Sequence, residues 1–430
     1  MTQAERRRAG RGLSRIARLG PDTRPLAIPE YRRLFLGQIV TVIGSQLTAV
    51  AVQQQVYSIT GSSAWVGYAS MVALIPLVTF GLLGGAIADT YDRRRLLMIT
   101  SSGIAVTSIG LWLTAFTGNS SVWVVFGLLA AQQGFFAVNS PTRSAILPRI
   151  VPLNLVPAAN ALNMTVFSFG VITGPLLVGL LLPITGISWL YFIDAMTLTA
   201  ILYAVIRLPP VPPQRTGRRR ARVRDGLAYL RTSPLLLMTF VIDIIAMVCG
   251  MPRALFPAMA QHTFGDPPGG GIALGALYAS FAIGSMIGGL TGGWIPRIRR
   301  QGIAIIAAVV LWGAAVAATG TTSVLGLAVL FLAIGGFADM VSAVYRSTIL
   351  QVVATDEMRG RLQGVFTVVV AGGPRLADLV HGLAADATST RTAVIGGGLL
   401  CVVLALVAGW IGRPLREYDA MAVSDEQRIQ

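Results

Sequence analysis

The chain has 430 residues, 54% hydrophobic and only 12% charged, with 48 glycines and a mean hydropathy of +0.69. A soluble domain carries about 25% charged residues, so an ordinary soluble globule is excluded, as are disorder, collagen and coiled coil. The net charge of +16 comes entirely from arginine, because the chain has no lysine; a phosphate loop ending in Gly-Lys and a Schiff-base lysine are both excluded.

Apolar runs recur along the whole chain, each long enough to cross a hydrocarbon core about 30 Å thick. They predict twelve membrane helices over 34–56, 65–88, 96–117, 121–141, 160–182, 188–207, 235–260, 272–295, 302–319, 322–345, 362–386 and 392–412. In the first, Gln38, Thr41, Ser45, Thr48 and Gln55 fall on one helical face. Lipid tolerates such a stripe poorly, so it is expected to line a polar cavity. The stripe also argues against a cleaved signal peptide, the reading raised by Ala49-Val50-Ala51. The fourth run adds Gln132, Phe136 and Asn139 on one face, and the fifth opens with Asn160 and Asn163. Together these residues are expected to offer hydrogen bonds and an aromatic face to a solute; the alternative is bonding between helices.

Ionisable residues within the runs are few. Asp194 is placed near one end of the sixth run and expected at the periphery. Asp243 and Arg253 share a face of the seventh but lie roughly 15 Å apart along it, so they cannot pair. Asp339 and Arg346 are separated by about 10 Å of rise. Arg375 and Asp378 are i,i+3 neighbours and can pair. His381 reads as a packing residue. Gly81/Gly85, Gly170/Gly174, Gly284/Gly288 and Gly289/Gly293 are pairs that allow close helix approach.

Of the 34 arginines, 31 fall in the two tails and in alternate loops, and the opposite loops hold only Arg391. By the positive-inside rule both termini and the middle loop are cytoplasmic. The basic charge is then a topology signal, and no nucleic-acid partner is expected. With only His262 and His381, and only Cys249 and Cys401, no metal or cofactor site is expected. No enzyme chemistry is expected either.

The pattern repeats. Gly84-Gly85-Ala86-Ile87-Ala88-Asp89 after the second run matches Gly288-Gly289-Leu290-Thr291-Gly292-Gly293 after the eighth, and Arg143-Ser144-Ala145-Ile146-Leu147 matches Arg346-Ser347-Thr348-Ile349-Leu350. The offsets are nearly equal, which indicates two parallel six-helix halves. The organisation expected is an Arg-rich tail at 1–33, an N-terminal half at 34–207, a linker at 208–233, a C-terminal half at 234–412 and a tail at 413–430.

Gly85-x-x-x-Asp89-x-x-Asp92-Arg93-Arg94-Arg95 resembles the signature loop of the major facilitator superfamily, with Asp92 where a Gly is usual. Thr173-Gly174-Pro175 resembles the Gly-Pro motif of its exporters. Gln133-Gly134 match half of the span-4 motif, but Ala130 stands where that motif has Arg. Val50 to Tyr57, Trp65-Val66-Gly67, Arg253 to Ala258 and Asp356 to Arg361 resemble the enterobactin-exporter-like branch, which includes macrolide and multidrug exporters. The resemblance implies an all-α polytopic membrane protein with twelve transmembrane helices. It also implies a secondary active exporter of small amphiphilic molecules, working by alternating access in the cytoplasmic membrane and driven by protons. It needs no cofactor, and a monomer among membrane lipids is expected. An importer of a small solute is the alternative.

Proton coupling requires a carboxylate that takes and releases a proton near neutral pH. Asp243 has no arginine within a turn of its own helix and is the expected group, with Arg253, Arg375 and Asp378 as a fixed ionic scaffold. Gly85, Asp89, Arg93, Arg94, Arg95 and Arg143 are expected to form a latch that holds the halves in the outward-open state.

Overall fold

In the computed structural model, residues 22–211 and 223–419 are described. The side chains of 82–86, 88–89, 223–227, 356–357, 359–361 and 363 lie outside that description. The described chain is all helix, without a strand. The first six long helices are α1 (Pro29–Thr60), α2 (Ser63–Thr90), α3 (Arg93–Phe116), α4 (Val122–Ile150), α5 (Val156–Thr185) and α6 (Ile187–Ile206). A short helix, α7 (Val223–Thr232), follows in the expected linker. Then come α8 (Pro234–Cys249), α9 (Phe256–His262), α10 (Ile272–Thr291), α11 (Gln301–Thr321), α12 (Leu325–Val353), α13 (Asp356–Ala387) and α14 (Thr390–Ile411), closed by the single turn α15 (Arg413–Arg416).

Every expected run but the seventh is one helix over most of its length, and many outrun the expectation at one or both ends. Eleven spans among the described residues are long and apolar enough to cross a membrane. The remaining helix, α13, falls outside that set; Arg375, Asp378, His381 and Asp386 interrupt its apolar surface. The seventh span is broken. α8 ends at Gly250, and a 3-10 turn over Arg253–Leu255 precedes α9. The groups freed by the break find partners, as buried backbone must. Trp312 Nε1 donates to the Gly250 carbonyl at 2.8 Å, and the Ala254 amide donates to Asp378 Oδ1 at 3.1 Å.

Local chemistry sets the helix ends. Pro29 and Pro234 begin their helices, where a missing N–H costs nothing. Gly61 closes α1 with φ +65°, a conformation that favours glycine. Asp92 accepts the Arg95 amide at 3.0 Å and so caps α3. That explains the departure from the superfamily loop at this position.

The two halves share one packing scheme. α1 packs on α5 and α6, α2 on α4, and α3 on α4 and α6. In the second half, α8 packs on α13 and α14, α10 on α12, and α11 on α12 and α14, the equivalent pairs. The halves meet through α2 with α13 and α5 with α10, again an equivalent pair. Glycines make the contact close. A Cβ on Gly67 would stand 2.6 Å from the Asp378 carbonyl oxygen, and one on Gly275 would overlap the Pro175 carbonyl.

Every hydrogen bond joining the halves between described residues lies toward the arginine-poor ends. Asp386 accepts the Ser62 hydroxyl and, at 3.1 Å, the Ser63 amide. Gln54 donates to the Pro268 carbonyl at 3.1 Å, and Tyr57 meets His262 at 3.0 Å. The molecule is therefore closed on the arginine-poor side.

Several arginines counted as loop residues turn out to be helical, Arg143 and Arg346 among them. Arg143 lies within α4, and Arg346 lies within α12 and is 3% exposed. Arg346 sits in ion-pair contact with Asp243 of α8 at 2.5 Å and with Asp339 at 3.5 Å. The arginine side chain spans the rise that separates it from Asp339.

Candidate cavity between the halves

A cavity of about 340 Å³ lies between the halves. α1 contributes Ser45, Gln46, Thr48 and Gln53, α2 contributes Ser70, and α4 contributes Gln132, Gln133 and Phe136. Asp194 of α6 also lines it. The second half supplies Arg253, from the turn that breaks the seventh span, and Pro374, Arg375 and Asp378 of α13. The wall thus mixes amide and hydroxyl groups, one aromatic ring, two guanidinium groups and two carboxyls.

The predicted lining is only partly present. Ser45, Thr48, Gln132 and Phe136 face the cavity; Gln38, Thr41 and Asn139 do not. The Thr41 hydroxyl bonds the Gly37 carbonyl of its own helix at 2.8 Å. Asn139 donates to Thr100 and Ser101 of α3 at 2.8 and 3.0 Å. Gln55 accepts the Tyr191 hydroxyl at 2.7 Å. Only the middle turns of the 32-residue α1 border open space; nearer its ends the same stripe bonds within the helix or to α6.

Three charged assignments change. Asp243 is not free of arginine: its partner Arg346 comes from another helix, and neither residue lines the cavity. Neither Asp243 oxygen receives a hydrogen bond, so the contact is Coulombic. Asp378 makes no ion pair with Arg375. It accepts the Ser70 hydroxyl at 2.6 Å, while Arg375 Nη1 bonds the Ala371 carbonyl at 2.7 Å. Asp378 therefore ties α13 to α2 instead of neutralising its neighbour.

Asp194, expected at the periphery, is 2% exposed and borders the cavity. Its Oδ2 accepts the hydroxyls of Thr48 and Ser108, each at 2.8 Å, and Ser108 in turn accepts Gln132 Nε2 at 3.0 Å. The carboxyl fits because Gly44 of α1 leaves room for it; a Cβ there would stand 2.7 Å from Oδ1. The signal available in the sequence was a lone carboxylate about 10 Å inside an apolar helix, which is costly unless it serves a pathway.

Of the expected latch, Gly85 and Asp89 lie among the side chains outside the description. Two of the described arginines donate to backbone carbonyls of the first half. Arg93 Nη1 donates to the Ala145 carbonyl at 3.1 Å, and Arg94 Nη2 donates to the Ile206 carbonyl at 2.6 Å. Arg95 contributes its amide to the Asp92 cap. Arg143 Nη2 is buried without a hydrogen-bond partner.

Two equivalent helical halves around a polar cavity define a transporter of the major facilitator fold. Solved structures share it. The nucleoside transporter NupG aligns with TM-score 0.73 and 15% identity, covering 90% of this chain and 99% of its own. A bacterial homologue of the human lysosomal transporter Spinster, in an inward-facing and unoccupied conformation, aligns with TM-score 0.69 and 14% identity over 91% and 98%. The family model for the transmembrane secretion effectors matches residues 22–430, and the chain belongs to that family. Among curated relatives, the enterobactin exporter EntS of Citrobacter koseri is 28% identical over 384 residues, 88% of this chain and 91% of its own length. EntS of Escherichia coli (strain SMS-3-5 / SECEC) is 28% identical over 404 residues, 92% and 96%.

Proposed function

We propose that this protein exports small amphiphilic molecules of the siderophore class across the cytoplasmic membrane, by alternating access coupled to an inward flow of protons. The observation that carries the reading is the cavity between the halves, which is closed on the arginine-poor side by packed helices, hydrogen bonds and close glycine contacts. Its Gln, Ser and Thr groups suit the hydroxyl and amide groups of such a molecule, Phe136 suits an aromatic ring, and Arg253 with Arg375 suits an acidic group. The enterobactin-exporting relatives, aligned over about nine-tenths of the chain, support the same substrate class. The halves are taken as 34–207 and 234–412, joined by 208–233, and the unit as a monomer in the lipid bilayer.

Expression in a bacterium lacking its own enterobactin exporter tests this. The protein should restore enterobactin to the medium and lower its retention in cells, and a protonophore should abolish the effect. No release from cells in which the protein is present in the membrane would refute the siderophore reading.

The orientation rests on the arginine asymmetry, with both termini and the loop around Arg219 in the cytoplasm. Reporter fusions after residues 61, 118, 220 and 267 should then read outside, outside, inside and outside. An external signal at 220 would invert the scheme and make the closed side of the molecule cytoplasmic.

A further inference from the structure

The cavity holds two carboxyls and two guanidinium groups, but the carboxyls are not alike. Asp378 has both oxygens engaged, by the Ser70 hydroxyl and the Ala254 amide. Asp194 has one oxygen engaged twice and the other not at all: Oδ1 is buried and has no hydrogen-bond partner. A buried carboxylate oxygen without a donor is expensive, and binding a proton there removes the charge, the costliest part of that burial.

The surroundings of Asp194 supply no counter-charge. α1 presents Gly44 and Thr48, and α3 presents Ser108, with Gln132 of α4 behind it. On its own helix the titratable neighbour is Tyr191, whose hydroxyl is committed to Gln55. The remaining charged groups on the cavity wall are Arg253, Arg375 and Asp378, in the other half, and none is in ion-pair contact with Asp194. Asp243 differs in having Arg346 against it.

We infer that Asp194 is the proton-carrying group of this transporter, with Oδ1 as the atom that gains and loses the proton. The step is a simple transfer. An O–H bond forms at Oδ1 with a proton from cavity water, and it breaks to return that proton to water when the cavity faces the other side. The consequence reaches the substrate wall through Oδ2. Hydrogen bonds to a charged acceptor are roughly twice as strong as those to a neutral one, so protonation weakens the hold on Thr48 and Ser108. Thr48 lines the cavity directly, and Ser108 orients Gln132, which also lines it. One proton therefore loosens two cavity-lining groups on α1 and α4 without touching the solute. This assignment rests on the proton-driven export proposed above and replaces Asp243 in it.

The test reads the proton directly and needs no substrate. An infrared pH-difference spectrum of the purified protein across neutrality should contain a protonated-carboxyl stretch. Asp194→Asn should remove the band and Asp243→Asn should retain it. Thr48→Val, which removes a donor that stabilises the charged form more than the neutral one, should move the midpoint alkaline, a readout available even if Asp194→Asn folds poorly. A band that survives Asp194→Asn, an unmoved midpoint in Thr48→Val, or no titrating band in the parent protein would overturn the assignment. In proteoliposomes with enterobactin as the probe, Asp194→Asn should lose accumulation driven by a pH gradient at least tenfold, yet keep downhill exchange. Gradient-driven accumulation at the parent rate would also overturn it. An absence of enterobactin flux in the parent protein with the infrared band intact would instead count against the export reading.

Discussion

Arg346→Met is expected to destabilise the protein by about 3–5 kcal/mol, the range for removing one partner of a buried ion pair. The guanidinium is 3% exposed and stands between Asp243 at 1% and Asp339 at 20%. Without it, two carboxylates share a low-dielectric space with no counter-charge, and neither Asp243 oxygen has a hydrogen bond to fall back on. Asp243→Asn should cost less, because Arg346 keeps Asp339. Replacing the whole triad by Leu, Met and Leu should recover much of the loss, since apolar groups of similar volume can substitute for a buried ion pair. Thermal unfolding in detergent, with folded yield by size exclusion, ranks the variants. An Arg346→Met protein that melts with the parent would show that the triad is not structural.

That triad also marks a limit of sequence reasoning. Helical periodicity gives which residues of one helix can meet, and it placed Asp243 and Arg253 on one face of a span that breaks between them. It cannot say which other helix lies alongside. Asp243 looked unpaired because Arg346 is 103 positions away in sequence, and Asp194 looked peripheral because the gap at Gly44 was invisible. The helices themselves were legible, because a run of apolar residues long enough to span a bilayer has one low-energy backbone there. The repeat was legible too, and the packing pairs of the two halves obey it. Within the cavity the match was uneven for a geometric reason. Ser45 and Thr48 border the cavity while bonding the Val42 carbonyl and Asp194, whereas Thr41 and Gln55, on the same stripe, bond the Gly37 carbonyl and Tyr191 without reaching it. A polar stripe therefore identifies the buried face of a membrane helix without dividing cavity from contact.

Gly67→Leu is expected to jam the transporter open on its arginine-poor side while leaving each half folded. The Gly67 position on α2 faces the backbone of α13, where a Cβ would lie 2.6 Å from the Asp378 carbonyl oxygen and 2.7 Å from Leu379 Cα. Backbone cannot rotate away as a side chain can, so the strain must separate the two helices. Within a packed core such overpacking costs about 1–3 kcal/mol. Here it is relieved by opening the contact between the halves. The same free energy then appears as a shift of about 5–150-fold in the balance between closed and open states. Transport should fall at least tenfold, because the cycle must pass through the closed contact. Gly81→Leu, on the same helix with nothing within 4 Å of its Cβ position, should transport normally. Accessibility can be read with a cysteine at Ala49, which lines the cavity, because the two native cysteines are buried. An impermeant thiol reagent added from outside should label Ala49→Cys strongly in the Gly67→Leu background and weakly alone. Equal labelling in both, together with unchanged transport by Gly67→Leu, would show that the α2–α13 contact is not the gate.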